Sequence, residues 1–460
     1  MLLYEARLIG QFVKTKNNDQ NDHPFISSPH STLFFMSLPL LLSLVAEPLT
    51  GLVDTAFISR LGSSHLAAVG IGSTALTSIF WAFNFLSIGT QTEIAKASGR
   101  QEIMRVKELS TLAIFLSLMI GIVLVGFILP LSSKVVNLMG ATEEMENLAI
   151  SYFQIRVYGA PAILITFASF GILRGLQDMQ AQLKIAVCIN LFNVFLDPIL
   201  IYGIGPIPGL GVSGAAWAST LSQWFGAIWS MLIVYKGVGL SKKIRLKDGY
   251  KLLQIGGNLF ARTGMLTFFL VLTTRIATLN GPDTGAAHQA LRQFWIFTAL
   301  FLDAYAIAGQ SLVGYFLGKQ WHTQVLRVAK VVCLWSIVIG VLLSLIMIFG
   351  QGAIEYMIVP ATAIEIFQPA WMILCVFQPL NALAFGTEGI HWGTGDFRFL
   401  RNVMMFATVS GVVALYLLRQ DSNSALTWIW LIIGFSITIR AIFGVARIWP
   451  GFGKSPFKYK

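Results

Sequence analysis

Apolar residues fall into twelve long runs separated by short polar segments, near 33–58, 67–92, 109–131, 148–173, 183–204, 213–235, 255–279, 286–315, 328–350, 364–390, 400–418 and 425–447. Each is long enough for a helix to cross the hydrocarbon core, which takes about 20 residues. Barrel strands would alternate in stretches of about 10. The pattern therefore predicts an all-α integral membrane protein with twelve transmembrane helices.

The pattern also repeats. Gln91, Gly99 and Gln101 fall on Gln310, Gly318 and Gln320 at a shift of 219, as does Ala67-Ala68 on Ala286-Ala287. Pro161, Gly171, Ile172, Gly175 and Asp178 fall on Pro379, Gly389, Ile390, Gly393 and Asp396 at 218. Five matches at one shift within eighteen residues suggest a duplicated half-chain. The expected organisation is a polar N-terminal segment (1–32), an N-lobe of spans 1–6 (33–235), a linker (236–254), a C-lobe of spans 7–12 (255–447) and a tail (448–460). Duplicated apolar halves are the sequence mark of a secondary transporter, whose two lobes rock around a central site.

Composition agrees: 55% of the 460 residues are hydrophobic and 12% charged, with mean hydropathy +0.72. Soluble domains carry roughly 25% charged residues. The net charge of +11 forms no single patch, so no nucleic-acid partner is expected. The basic residues gather in the even-numbered connections: Lys96, Arg100, Arg105 and Lys107; Lys236, Lys242, Lys243, Arg245, Lys247 and Lys251; Lys319, Arg327 and Lys330. Odd connections are poor in them, and one holds Glu143, Glu144 and Glu146. The positive-inside rule puts both termini in the cytoplasm. Two six-span lobes then share one orientation, related by an axis along the membrane normal. Cys188, Cys333 and Cys375 lie in apolar runs at no metal-like spacing and read as small buried hydrophobes. The first thirty residues are polar, and no cleavable signal peptide is expected.

Ionisable residues at membrane depth carry the candidate chemistry, because each costs about 2.5–3.5 kcal/mol on insertion scales. Asp54 lies deep in span 1, with Glu47 seven residues earlier on the same face. Solvation near the outer end is the favoured account of Glu47 and the lesser alternative for Asp54. Pro39 and Pro48 interrupt the hydrogen-bond ladder of that span and predict a bend. Span 5 sets Asn190, Asn193 and Asp197 on one helical face, with Pro198 behind the acid. The stripe either bonds helix to helix or lines a polar cavity. Ser219, Thr220 and Ser222 of span 6 could complete it, or could serve small-residue packing. Neither acid recurs in the second half, where Asp54 falls on Thr273. That half holds Arg262 and Arg275, then Arg292 and Asp303, then Glu388 and His391. An ion pair of Asp303 with Arg262 or Arg275 is expected, and Glu388 and His391 are expected to meet water at the cytoplasmic end. His288 reads as a packing or hydrogen-bonding side chain. There is no phosphate loop and no clustered catalytic set, which leaves an ion gradient as the energy source and excludes an enzyme.

The stretches PLLLSLVAEPLTGLVDTAFISRLG, NLFNVFLDPILIYGIGPIPGLGVSGAAWAST and GAAHQALRQFW with FLDAYAIAGQSLVGYFLGK resemble the multidrug and toxic compound extrusion (MATE) family, most of all its DinF-like branch. The resemblance spans about 33–450. It implies a multi-pass exporter of amphipathic, cationic small molecules in a bacterial inner membrane, monomeric and without a cofactor. In similar proteins an aspartate of span 1 and one of span 5 form a cation-coupling site. Those map to Asp54 and to Asp197 with Asn193, joined by Asn190. The span 6 hydroxyl maps to Ser219 or Thr220, and the bending proline to Pro39. Two features depart from the family: Glu47 stands where relatives often carry glutamine, and the C-lobe carboxylates of the NorM-like branch have no counterpart beyond Asp303 and Glu388. The implied coupling ion is H⁺, because two acids in one dry pocket cannot both ionise easily. Na⁺ is the alternative, since carboxylate and amide oxygens suit a hard cation. A lipid-linked sugar flippase of the wider superfamily is the other, to which Arg262, Arg275 and Arg292 would be suited.

Overall fold

Without water, backbone N–H and C=O groups must be satisfied within the segment, and a helix does so. The computed structural model describes residues 23–140, 143–417 and 424–458. It contains α1 (Pro24–Ser27), α2 (Pro29–Ser59), α3 (Ser63–Trp81), α4 (Phe85–Gly99), α5 (Ile103–Ile128), α6 (Ser132–Leu138), α7 (Glu143–Val157), α8 (Ala160–Gly175), α9 (Met179–Tyr202), α10 (Val212–Gly237), α11 (Leu246–Leu279), α12 (Pro282–Gly318), α13 (His322–Ile358), α14 (Ile364–Thr394), α15 (Phe397–Leu417) and α16 (Ala425–Ile448). A two-residue hairpin joins α9 to α10, with β1 (Gly203–Ile204) pairing antiparallel to β2 (Ile207–Pro208). The segment expected over 1–32 lies outside the described residues up to 22.

Each of the twelve apolar runs is mainly helical over its described residues. Among the described residues ten stretches are long and apolar enough to cross a membrane, and an eleventh is α7 with α8, bent by 46° at the break. The expected span 6 is α10, a single helix of 26 residues that falls short of that hydropathy, as its Trp217, Gln223, Trp224, Trp229 and several serines lower it. Span 2 is also interrupted, by turns at 82–84 between α3 and α4. α2 stays helical through Pro39 and Pro48.

The chain divides into two units, 38–256 and 23–37 with 257–458. In the first, α4 packs on α8 and α8 on α5. Leu76, Phe80 and Phe153 centre one core there, and Ile94, Ile172 and Ile185 a second. In the second unit α14 packs against α12, α13 and α16, around buried Phe367, Trp371 and Ile429. The segment 23–37 belongs to this unit: Phe25 and Leu33 are fully buried, and Arg327 Nη1 donates to the Ile26 carbonyl at 3.1 Å.

The duplication reappears as repeated packing. A Cβ on Gly171 would collide with the Ser87 carbonyl, and one on Gly389 with that of Ala306. Gly175 and Gly393 face the carbonyls of Gln91 and Gln310, at 2.9 and 2.7 Å from an added Cβ. α4, α8, α12 and α14 all end in the same turn, with Gln101, Gln177, Gln320 and Gly395 at φ of 59°, 64°, 61° and 80°. Glu102, Asp178, Trp321 and Asp396 each donate back to the carbonyl five residues earlier, at 2.9–3.0 Å.

Candidate functional site

Four helices of the first unit assemble the acid site. α2 and α9 are tied at two heights. Gln182 Nε2 donates to Ser43 Oγ at 2.8 Å, and Gln182 Oε1 accepts from Arg174 Nε at 2.6 Å. At the other end Tyr202 Oη donates to the Phe57 carbonyl at 2.5 Å. The first turn of α9 is capped by Asp178, which accepts from the Ala181 N–H at 3.0 Å.

Between these ties the carboxyls of Asp54 and Asp197 come within hydrogen-bonding reach of one another. Asp197 is fully buried and Asp54 half-buried. Both Asp197 oxygens and Asp54 Oδ1 are buried without a hydrogen-bond partner. Two acceptors facing each other are satisfied by an added proton, which turns one carboxyl into a donor. Asn193, one turn before Asp197, is buried with its Nδ2 unpartnered. Asn190 and Ser219 are half-buried. Thr220 is buried, and its hydroxyl donates across to the Ile155 carbonyl of α7 at 3.2 Å, joining α10 to α7. Glu47 is exposed on α2, and Pro39 lies two turns before it.

Two residues of this site were absent from the sequence reading. Arg156 of α7 lies within electrostatic reach of Glu47, Asp54 and Asp197, and its own helix adds the buried Tyr152, one turn earlier and within the same reach. Arg156 Nε and Nη1 are buried without a partner. A signal was there to find: Arg156 is an ionisable residue inside the expected span 4, and the rule that singled out Asp54 applies to it equally.

The second unit holds a different cluster. Glu388 Oε1 accepts from Arg440 Nε at 3.0 Å and Nη2 at 2.7 Å, and Oε2 accepts from Arg262 Nη2. All three residues are buried, at 5%, 5% and 8% exposure. Arg262 also lies over the Trp392 ring, 5.6 Å from its centroid. Arg262 thus pairs with Glu388, where a pair of Asp303 with Arg262 or Arg275 was expected. Asp303 and Arg292 are half-buried and Arg275 is exposed; Arg292 Nη1 reaches Thr274 Oγ1 at 3.5 Å.

Glu388 and His391 do not meet water as expected. His391 is fully buried, and its ring nitrogen bonds to the Gly444 carbonyl at 3.0 Å. Glu388 is enclosed by its two arginines, and His391 lies beneath the C-terminal tail. Arg447 holds it by donating to the Phe452 and Lys454 carbonyls at 2.6 and 2.7 Å, which brings Phe457 to 5.7 Å from the His391 ring. His288 bonds Thr274 at 3.3 Å and faces Trp430, as a packing histidine would. Among the described residues no group of three or more His, Cys, Asp or Glu side chains could hold a metal ion.

The fold and sequence have known relatives. The chloroplastic DETOXIFICATION 45 protein of Arabidopsis thaliana is 30% identical over 441 residues, covering 90% of this chain and 78% of its own. DNA damage-inducible protein F of Escherichia coli is 26% identical, covering 92% and 93%. A solved structure described as a MOP superfamily transporter of Pyrococcus furiosus with reversed polarity of its binding pocket superposes with TM-score 0.82 at 23% identity, covering 94% and 97%. The MatE family profile matches residues 39–199 and 259–417, one segment in each half of the duplication. With twelve helical spans in two repeated sets of six, this chain belongs to the multidrug and toxic compound extrusion family of membrane transporters.

Proposed function

We propose that this chain exports small organic compounds by proton antiport, with alternating access governed by Asp54 and Asp197. The observation that carries the reading is that pair: two carboxyls in reach of each other, one fully buried, whose buried oxygens find no donor. Protons arriving from outside neutralise the pair and let the substrate leave; their loss to the cytoplasm restores a negative site. A site that is negative when empty of protons favours amphipathic cations as substrates. Asn193, Asn190 and the hydroxyls of Ser219 and Thr220 supply the remaining polar lining. Pro39 marks where α2 can change shape, because its ring leaves a backbone carbonyl unbonded. The protein acts as a monomer in a bacterial inner membrane, both termini cytoplasmic, a placement supported by its basic even-numbered connections.

The test is accumulation of a fluorescent organic cation into everted vesicles, whose cytoplasmic face is outward, under a pH gradient alone and a Na⁺ gradient alone. Asp54→Asn and Asp197→Asn should each reduce ΔpH-driven export to background while leaving the protein in the membrane. Export that needs Na⁺, or that survives both substitutions, refutes the reading.

A further inference from the structure

The acid site carries its own cation. A guanidinium that serves as a structural clamp makes direct contact, as Arg105 does with Asp248 at 2.6 Å through both nitrogens, and as Arg440 does with Glu388. Arg156 differs. No ion pair within 4.0 Å is formed by it among the described residues, and Nε and Nη1 are buried without an acceptor. It is nonetheless held beside the acids: the Thr220 hydroxyl fixes the carbonyl of the preceding residue at 3.2 Å, and Tyr152, one helical turn earlier, lies within electrostatic reach of its side chain. The charged and titratable groups acting there are Glu47 and Asp54 from α2, Asp197 from α9, and Tyr152 from its own helix. Thr220 is the residue of α10 that reaches this turn.

We propose that Arg156 is the ion-selecting residue of this site: its fixed positive charge excludes Na⁺ and leaves the carboxyl pair to protons. This inference rests on the proton-antiport reading above. The charge opposes any cation brought between Asp54 and Asp197. A proton bonds covalently to one carboxylate oxygen and is shared with the other. A sodium ion has only electrostatic attraction and needs a shell of oxygens, so a penalty of similar size removes it first. Because Arg156 stays out of direct contact, the acid oxygens remain open to the proton.

The experiment uses the full chain, purified and reconstituted, with Na⁺ itself as the probe. Arg156→Gln removes the charge, Arg156→Met removes it while keeping apolar bulk should the glutamine variant fail to fold, and Arg156→Lys keeps it. Thermal unfolding is followed against Na⁺ at constant ionic strength, beside ΔpH-driven and Na⁺-driven export of the fluorescent cation. The parent and the lysine variant should show no Na⁺-dependent shift. The glutamine or methionine variant should gain one, with Na⁺ affinity raised about tenfold or more, and its export should become sensitive to Na⁺. Charge-removing variants as indifferent to Na⁺ as the parent would overturn this assignment alone, as would a lysine variant that gains the same Na⁺ response. A parent driven by Na⁺ and not by ΔpH would overturn it together with the antiport reading.

Discussion

At the scale of single residues, the two units bury charge in opposite ways. The first leaves carboxylate oxygens of Asp54 and Asp197 without donors, a costly arrangement that a protein keeps for use. The second satisfies Glu388 fully, with three donors from Arg262 and Arg440. Removing one partner of a buried ion pair typically costs about 3–5 kcal/mol, whereas replacing the whole set by apolar residues of similar volume is often neutral or better. Glu388→Gln should therefore lower the unfolding temperature of the purified protein sharply. Combined replacement of Glu388 by Leu with Arg262 and Arg440 by Met should recover most of the loss. A glutamine variant as stable as the parent would mean that the two guanidiniums find other partners. Sequence spacing exposed the stripe on α9 because its members lie on one helix. It could not pair Glu388 with Arg440, 52 residues away, or Arg262, 126 away.

At the scale of elements, glycines decide how closely helices approach. Gly171 and Gly389 occupy equivalent places in the two repeats, and each lies against a backbone carbonyl that cannot move aside. Gly257 on α11 faces open space, with nothing within 4 Å of an added Cβ. Gly171→Ala should cost about 1–3 kcal/mol through overpacking. Gly257→Ala should be neutral or stabilise by up to about 1 kcal/mol, the helix-propensity difference. Unfolding temperatures of the two variants against the parent test the contrast; equal shifts would show that helix propensity rather than close packing governs both sites. The register of the repeat was readable from these glycines. The interruptions of spans 2 and 4 were not, since the hydrophobic pattern runs unbroken through residues 82–84 and 158–159.

At the scale of the whole molecule, charge sets orientation. The stretch from Gly239 to Lys251 is anchored to the first unit by Arg105–Asp248 at 2.6 Å, Arg245–Glu108 at 3.0 Å and Lys251–Glu93 at 2.6 Å, while Lys242 and Lys243 are exposed. If this stretch is cytoplasmic, a membrane-impermeant maleimide should label Lys243→Cys in everted vesicles and not in intact cells. Labelling in intact cells would reverse the topology. Cys333 and Cys375 are buried and Cys188 half-buried, so the parent supplies a low background.

Hydrophobic periodicity and insertion cost act locally along a chain. For that reason the sequence by itself determined the twelve spans, the duplicated halves and the acids set in the apolar runs. Which polar groups share a buried volume depends on how each helix is rotated and how closely glycines let it approach. Only the tertiary structure could therefore bring Arg156 and Tyr152 to the Asp54–Asp197 pair, join Glu388 to two arginines, and fold the C-terminal tail over His391. These groupings join residues from about 40 to more than 140 positions apart, a range over which neither helical spacing nor hydropathy carries information.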